Sequence, residues 1–162
     1  MILSELRTQA AKFTGDTGRT RYTDADYLIA LNRAQEQFCM ETRSLFKDTT
    51  FTSASADATY ALPSDFMWEQ SAHFDGKPLI AITRRDLSIL LPGTDWTDDT
   101  GTPTHYLIDP EEAQKMLLLY PIPQSGDASK TISLRYFPLP TALAADGDTP
   151  LNSSALLAQF HI

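Results

Sequence analysis

The sequence holds one cysteine, Cys39, among 162 residues. A lone cysteine excludes an internal disulfide and any cysteine-rich metal cluster. Basic side chains are also scarce. Thirteen Lys and Arg stand against 21 Asp and Glu, a formal charge of -8. That balance argues against a nucleic-acid groove or an acidic membrane as the default partner surface. No stretch approaches the ~20 apolar residues of a spanning helix. The opening MILSELRTQAAKF lacks the unbroken apolar core of a signal peptide. Folding a compact chain of this length buries roughly 70% of its unfolded surface, so no metal or disulfide staple is needed. These absences define a soluble, acidic protein of one ordinary domain.

What charge there is lies unevenly. Residues 1–50 carry seven basic and seven acidic side chains, and residues 51–162 carry six and fourteen. The formal excess therefore belongs to the second part. It contains no run of five or six like charges, so it does not read as an acidic disordered tail. The densest acidic segment is Asp95, Asp98, Asp99, Asp109, Glu111 and Glu112. It reads as a solvated loop and turn, with an assembly surface or a metal site as alternatives. EF-hand spacing and its closing Glu are absent.

The chain is helical first. Ile2, Leu3, Leu6, Ala10 and Phe13 recur at helical spacing over residues 2–13. Gly15-Asp16-Thr17-Gly18-Arg19 then reads as a turn. Thr23 is placed to cap a second helix, with Asp26 as the reciprocal capping-box acid. Tyr27, Leu31, Ala34, Phe38 and Leu45 mark the expected buried face, with Arg33 expected in solvent. The two helices suit a hairpin.

The period then changes. Strand-like segments are Asp48–Thr52, Thr59–Leu62 and Met67–Phe74, the last meeting Asp75-Gly76, a pair suited to a tight hairpin. Pro78 demotes the following strand to an edge. Thr83 is expected to cap a short helix through Leu87 to Leu91 before Pro92-Gly93. Trp96, alone in a polar loop, is expected to pin that loop to the body or to a neighbouring subunit. Thr104–Ile108, Lys115–Tyr120 and Lys130–Phe137 are the best strands, and Ile132, Leu134 and Tyr136 give the clearest alternation. Asp146-Gly147-Asp148 marks a break. Leu156, Leu157, Phe160 and Ile162 are too densely apolar for an idle tail, so that segment is expected to dock as a terminal helix or an extended peptide. The fold expected is α+β: an N-terminal helical hairpin (1–47), a β-rich central insertion (48–140) and a C-terminal docking segment (141–162), helical in part.

Chemistry is hard to assemble from these residues. His73, His105 and His161 are far apart, and none belongs to H-E-x-x-H. Cys39 reads as a small core side chain. The early glycines match neither G-x-x-x-x-G-K-[ST] nor G-x-G-x-x-G, and Asp146-Gly147-Asp148 lacks a complete calcium ligand series. No catalytic residue, cofactor or metal is expected. Two other classes stay open at this point. A small aromatic-rich module could bind peptide or carbohydrate through Trp68, Trp96 and the tyrosines. A hydrolytic enzyme could combine His73 or His105 with an aspartate.

The order of motifs carries more. It runs G-D-T-G-R-T-R-Y-T-D-A-D, L-N-R-A-Q-E-Q-F, Y-A-L-P-S-D-F, F-D-G-K-P-L, G-T-P-T-H-Y, L-Y-P-I-P, I-S-L-R-Y-F-P and L-A-A-D-G-D-T-P. In that succession the chain resembles the head-to-tail adaptor proteins of tailed bacteriophages, also called connector or tail tubular proteins. The resemblance implies a structural virion protein rather than an enzyme. It implies a ring, commonly of twelve copies, between the portal protein and a tail or nozzle protein. DNA would pass through the channel without sequence-specific binding. The place implied is the virion neck, reached after assembly in the host cytoplasm, with no membrane involved. Family C-terminal segments contact the portal, which makes Leu156, Leu157, Phe160 and Ile162 the docking candidates. Several relatives continue with further helix beyond this point, so the segment is expected as either a helix or a short docking tail.

Overall fold

A computed structural model describes residues 1–90, 96–109 and 115–150. The chain divides into two units, one built from Met1–Phe46 and the chain from Pro138 onward, the other from Lys47–Phe137. The first unit holds helices α1 (Leu3–Phe13) and α2 (Asp24–Thr42). Among its described residues the second holds ten strands, a short helix, α3 (Arg84–Leu90), and two single 3-10 turns. The expected helical pair and β-rich centre are both present.

Local chemistry explains the helix ends. The Glu5 carboxylate accepts from the Ile2 amide at 3.0 Å at the start of α1. Gly15 follows α1 with φ +70°, a left-handed conformation that costs glycine little. Thr23 and Asp26 form the reciprocal box. The Thr23 amide donates to Asp26 Oδ2 at 2.8 Å, and the Asp26 amide donates to Thr23 Oγ1 at 3.3 Å. Arg43, left-handed at φ 49°, ends α2 by donating its amide to Cys39 O.

The buried faces differ from the expected ones. On α1, Leu3 and Ala11 are buried, whereas Phe13 is 90% exposed. On α2 the buried residues are Tyr27, Gln35 and Cys39, while Ala34 and Phe38 lie outside. At 100° per residue, the observed face is turned by about 60° from the expected stripe. The cause is polar. Asn32 and Gln35 face inward to bind the returning chain, and an apolar count gives such residues no inward weight. Leu45 is buried as expected, and Arg33 is exposed.

In the second unit, one sheet has the order β1 (Lys47–Thr52), β10 (Thr131–Pro138), β3 (Phe66–Phe74), β4 (Lys77–Pro78). The other has the order β2 (Thr59–Ala61), β8 (Met116–Tyr120), β7 (His105–Asp109), β5 (Ile80–Ala81). A small parallel pair joins β6 (Thr100–Gly101) to β9 (Ile122–Pro123). Asp75 and Gly76, both at positive φ, turn β3 into β4, and Pro78 sits on an edge strand as expected.

Both large sheets contribute to one core, which includes Leu62, Phe74, Tyr106, Leu117, Ile132, Leu134 and Tyr136. Ile132, Leu134 and Tyr136 are fully buried, and Arg135 points out to clasp Asp48 at 2.7 and 3.0 Å. A second cluster lies on the other face of β7 and β8, where Leu87 of α3 meets Leu107 and Leu118, with Trp96 packed against them. Strand β8 is therefore covered on both faces, which explains its unbroken apolar run. Trp96 pins its loop to the body of this unit, and Arg84 lies 5.9 Å over its ring.

Residues 141–150 are irregular, and the terminal helix or extended peptide expected over residues 153–162 lies outside the described residues. Pro92-Gly93 also lies outside them.

Leu134→Ala should destabilise the β unit by about 2–5 kcal/mol, the cost of a cavity at a site that cannot collapse. Arg135→Ala, on the same strand but exposed, should cost no more than about 1 kcal/mol. Urea unfolding of the two variants beside the parent chain measures the difference.

Candidate functional site

The helical unit is closed by a strap, Pro138–Pro150, that returns from the far end of the sequence. Asn32 grips it with both amide atoms. Its Nδ2 donates to Leu143 O at 3.1 Å, and its Oδ1 accepts from the Leu143 amide at 2.7 Å. Gln35 Nε2 donates to Thr141 O at 2.9 Å. Leu143 itself is buried. The L-N-R-A-Q-E-Q-F stretch thus supplies a polar clasp rather than a purely apolar stripe.

The strap then meets the first turn of α1, whose amides have no partner within the helix. Leu3 N donates to Asp148 O at 2.8 Å, and Ser4 N donates to Asp146 O at 3.2 Å. Arg7 pairs with Asp146 at 2.7 Å. Asp148 Oδ2 accepts from the Ala144 and Ala145 amides, which hold its carboxyl below the usual carboxylate range. Asp146-Gly147-Asp148 is therefore a capping turn.

A second acid organises the link between the helices. The buried Asp16 carboxylate accepts from the amides of Thr20, Arg21 and Tyr22 at 2.8–3.0 Å. The Tyr22 amide first, then those of Thr20 and Arg21, lower its pKa against the opposing effect of burial. Thr14 Oγ1 and Tyr27 Oη, 2.9 Å apart, tie the end of α1 to the start of α2.

One face of this unit is left uncovered by the described residues. Ala10 of α1 and Ile29 and Ala30 of α2, with Tyr22 and Tyr27, line an apolar groove of about 470 Å³. Asp26 and Arg33 also line it. Ile29 is 53% exposed. Phe38 is 45% exposed but lies half a turn round α2 from Ile29, off the groove. Arg7 Nε and Gln35 Oε1, both in this unit, are buried with no hydrogen-bond partner among the described residues.

The expected chemical candidates take structural places. Cys39 is buried in α2, and burial pushes its thiol up. His73 lies on β3 opposite Pro78, and His105 lies on β7 beside Tyr120, with Nδ1 2.8 Å from Thr104 Oγ1. Of the acidic segment, Asp99 accepts from the Tyr120 hydroxyl at 2.7 Å, and that bond carries the tyrosine to about 12. Asp109, buried, pairs with Arg84. Asp95, Glu111 and Glu112 lie outside the described residues, as do His161 and the docking candidates Leu156, Leu157, Phe160 and Ile162. Among the described residues no three His, Cys, Asp or Glu side chains are grouped to hold a metal.

Other motif acids serve packing too. Asp65 of Y-A-L-P-S-D-F accepts from the buried Tyr136 hydroxyl and from Lys47, each at 2.9 Å. Buried Asp127 accepts from Thr102 Oγ1 at 3.0 Å and from Lys130 at 3.1 Å. Burial pushes Asp127 up, but those two donors outweigh it, and its pKa is lowered.

The helical unit carries an apolar groove, and the polar residues of the β unit mainly brace its own turns, features that suit an assembly subunit. The chain belongs to the SU10 adaptor protein family, whose model matches residues 1–160. No curated protein matches it. Its role is that of a structural head-to-tail connector, and it is not an enzyme. The family role gives it portal and tail proteins and copies of itself as partners, at the virion neck.

Two outcomes test the clasp and the acid turn. Asn32→Ala should cost about 1–3 kcal/mol in thermal unfolding of the helical unit, because the Leu143 N–H and C=O lose their partners. Asp16 has a lower pKa folded than unfolded, so its contribution is complete above about pH 4 and disappears as pH falls through the folded value. Helical circular dichroism should therefore fall less steeply in acid for Asp16→Asn than for the parent chain, from a lower starting stability.

Proposed function

We propose that the protein closes into a ring of twelve copies between portal and tail, and that it assembles in the host cytoplasm before taking its place at the virion neck. The observation that carries this reading is the family match along residues 1–160. Residues 1–47 form the wall of the ring, 48–140 offer the peripheral or tail-facing surface, and 141–162 act as the docking segment. Heterologous contacts between identical copies close such a ring when the rotation between neighbours divides a full turn evenly.

DNA passes through without sequence-specific binding. A cationic lumen would grip phosphate in a salt-dependent way. The chain's acidic excess favours a surface that lets the polymer slide. Leu156, Leu157, Phe160 and Ile162 are the portal contacts in this reading. The family match continues through residue 160 and so includes most of that set.

Electron microscopy of portal mixed with this protein should show one added ring at one end of the portal, with twelve-fold averages. Absence of binding across salt conditions would remove the assignment. Leu157→Asp with Phe160→Asp should weaken portal attachment by at least tenfold, since burying each apolar anchor is worth roughly 1.5–3 kcal/mol. Unchanged attachment would remove these residues from the docking surface.

A further inference from the structure

We propose that Phe13 of one copy seats in the α1–α2 groove of the next, as a head-to-tail contact between copies of this chain. The inference rests on the reading of the protein as a closed set of copies and adds the residues that make the contact.

The groove is an apolar socket. Ala10 comes from α1 and Ile29 and Ala30 from α2, with Tyr22 and Tyr27 beside them. The two tyrosines already meet edge to face, with ring centroids 6.0 Å apart. A third aromatic side chain entering beside the small alanines meets tyrosine rings, and such contacts add to the gain from burial itself. The volume of about 470 Å³ lies within the range of ordinary binding sites.

Phe13 is the matching insert. At 90% it is the most exposed large apolar side chain among the described residues. It stands on the last turn of α1, a helix whose backbone is already ordered, so docking it costs little further freedom. A lone exposed apolar residue needs no explanation by itself. Here the same unit carries both an uncovered phenyl group and an uncovered groove lined for one.

The two cannot meet within one chain. Ala10 and Thr14 give the groove its α1 side, and Phe13 points about 80° round the helix axis from the midline between them. The phenyl group reaches such a groove only on another copy. An insert and a socket at different places on one surface make a heterologous contact. Each copy then gives Phe13 to one neighbour and receives Phe13 from the other, the arrangement that propagates until it closes.

Charge agrees with this occupant. Lys12, next to Phe13, is exposed. It arrives at a groove lined in part by Asp26, whose Oδ2 accepts from Thr23 and whose Oδ1 is left to accept from a cation.

The test is a photo-cross-link in the full chain, in a 1:1 mixture of ¹⁴N and ¹⁵N protein, both alone at high concentration and bound to portal. Phe13→benzoyl-phenylalanine should cross-link to the peptide carrying Ile29 and Ala30, with mixed-isotope products as frequent as single-isotope ones. Ile29→benzoyl-phenylalanine, made in case the first replacement spoils docking, should cross-link to the peptide carrying Phe13 in the same proportions. Single-isotope products alone would place the contact within one chain and overturn the proposal. Cross-links to portal or to other parts of the chain, or none from either position in both samples, would also overturn it. Phe13→Ala should leave thermal unfolding of the single subunit unchanged and weaken self-association at least tenfold in sedimentation. A loss of subunit stability, or unchanged self-association, would count against the contact. Portal attachment is scored separately. Mixed-isotope cross-links in the portal-free sample without any portal attachment would leave this contact standing and remove the adaptor reading, whereas attachment without the cross-link would do the reverse.

Discussion

The helical unit depends on one polar clasp, the two-atom grip of Asn32 on the backbone of Leu143. Two helices of 11 and 19 residues bury few large apolar side chains between them. Isolated helices of this length are marginal in water, so their stability must come from tertiary contacts. The strap supplies them. Its backbone pairs with both amide atoms of Asn32 and with Gln35 Nε2, its carbonyls receive the first amides of α1, and Leu143 is buried. Positions more than a hundred residues apart thus complete one unit.

The β unit solves a different problem. It contains thirteen acidic and seven basic side chains. Several of these acids are used within the unit. Asp48 meets Arg135, Asp65 meets Lys47 and Tyr136, Asp99 meets Tyr120, and Asp127 meets Thr102 and Lys130. Asp65 of Y-A-L-P-S-D-F and Asp127 after L-Y-P-I-P are accordingly places where this chain's turns are braced. This suits a connector. A subunit that bears load between portal and tail gains from rigid turns.

Periodicity was a sound guide wherever burial follows from apolar content. Ile132, Leu134 and Tyr136 alternate inward as their spacing requires, Thr23 and Asp26 form the cap that their spacing requires, and Asp75-Gly76 turns its hairpin. It misled where polar side chains hold the inner positions. Gln35 is buried and Phe38 is half-exposed because hydrogen bonds to a distant strap fix the rotation of α2. The apolar stripe read from the sequence is inward only in part: Tyr27 and Leu45 are buried, whereas Ala34 and Phe38 are exposed.

The sequence by itself determined the class: helices followed by strands, no disulfide, and the succession of motifs that belongs to a phage adaptor. Those properties are local or ordered along the chain, and caps, turns and alternation record them directly. Only the tertiary structure decided that Asp146-Gly147-Asp148 caps α1, that β8 is covered on both faces, and which side of α2 is buried. Each of these depends on a partner far away in sequence. A hydrogen bond from Leu3 to Asp148 leaves no trace in the residues around either one.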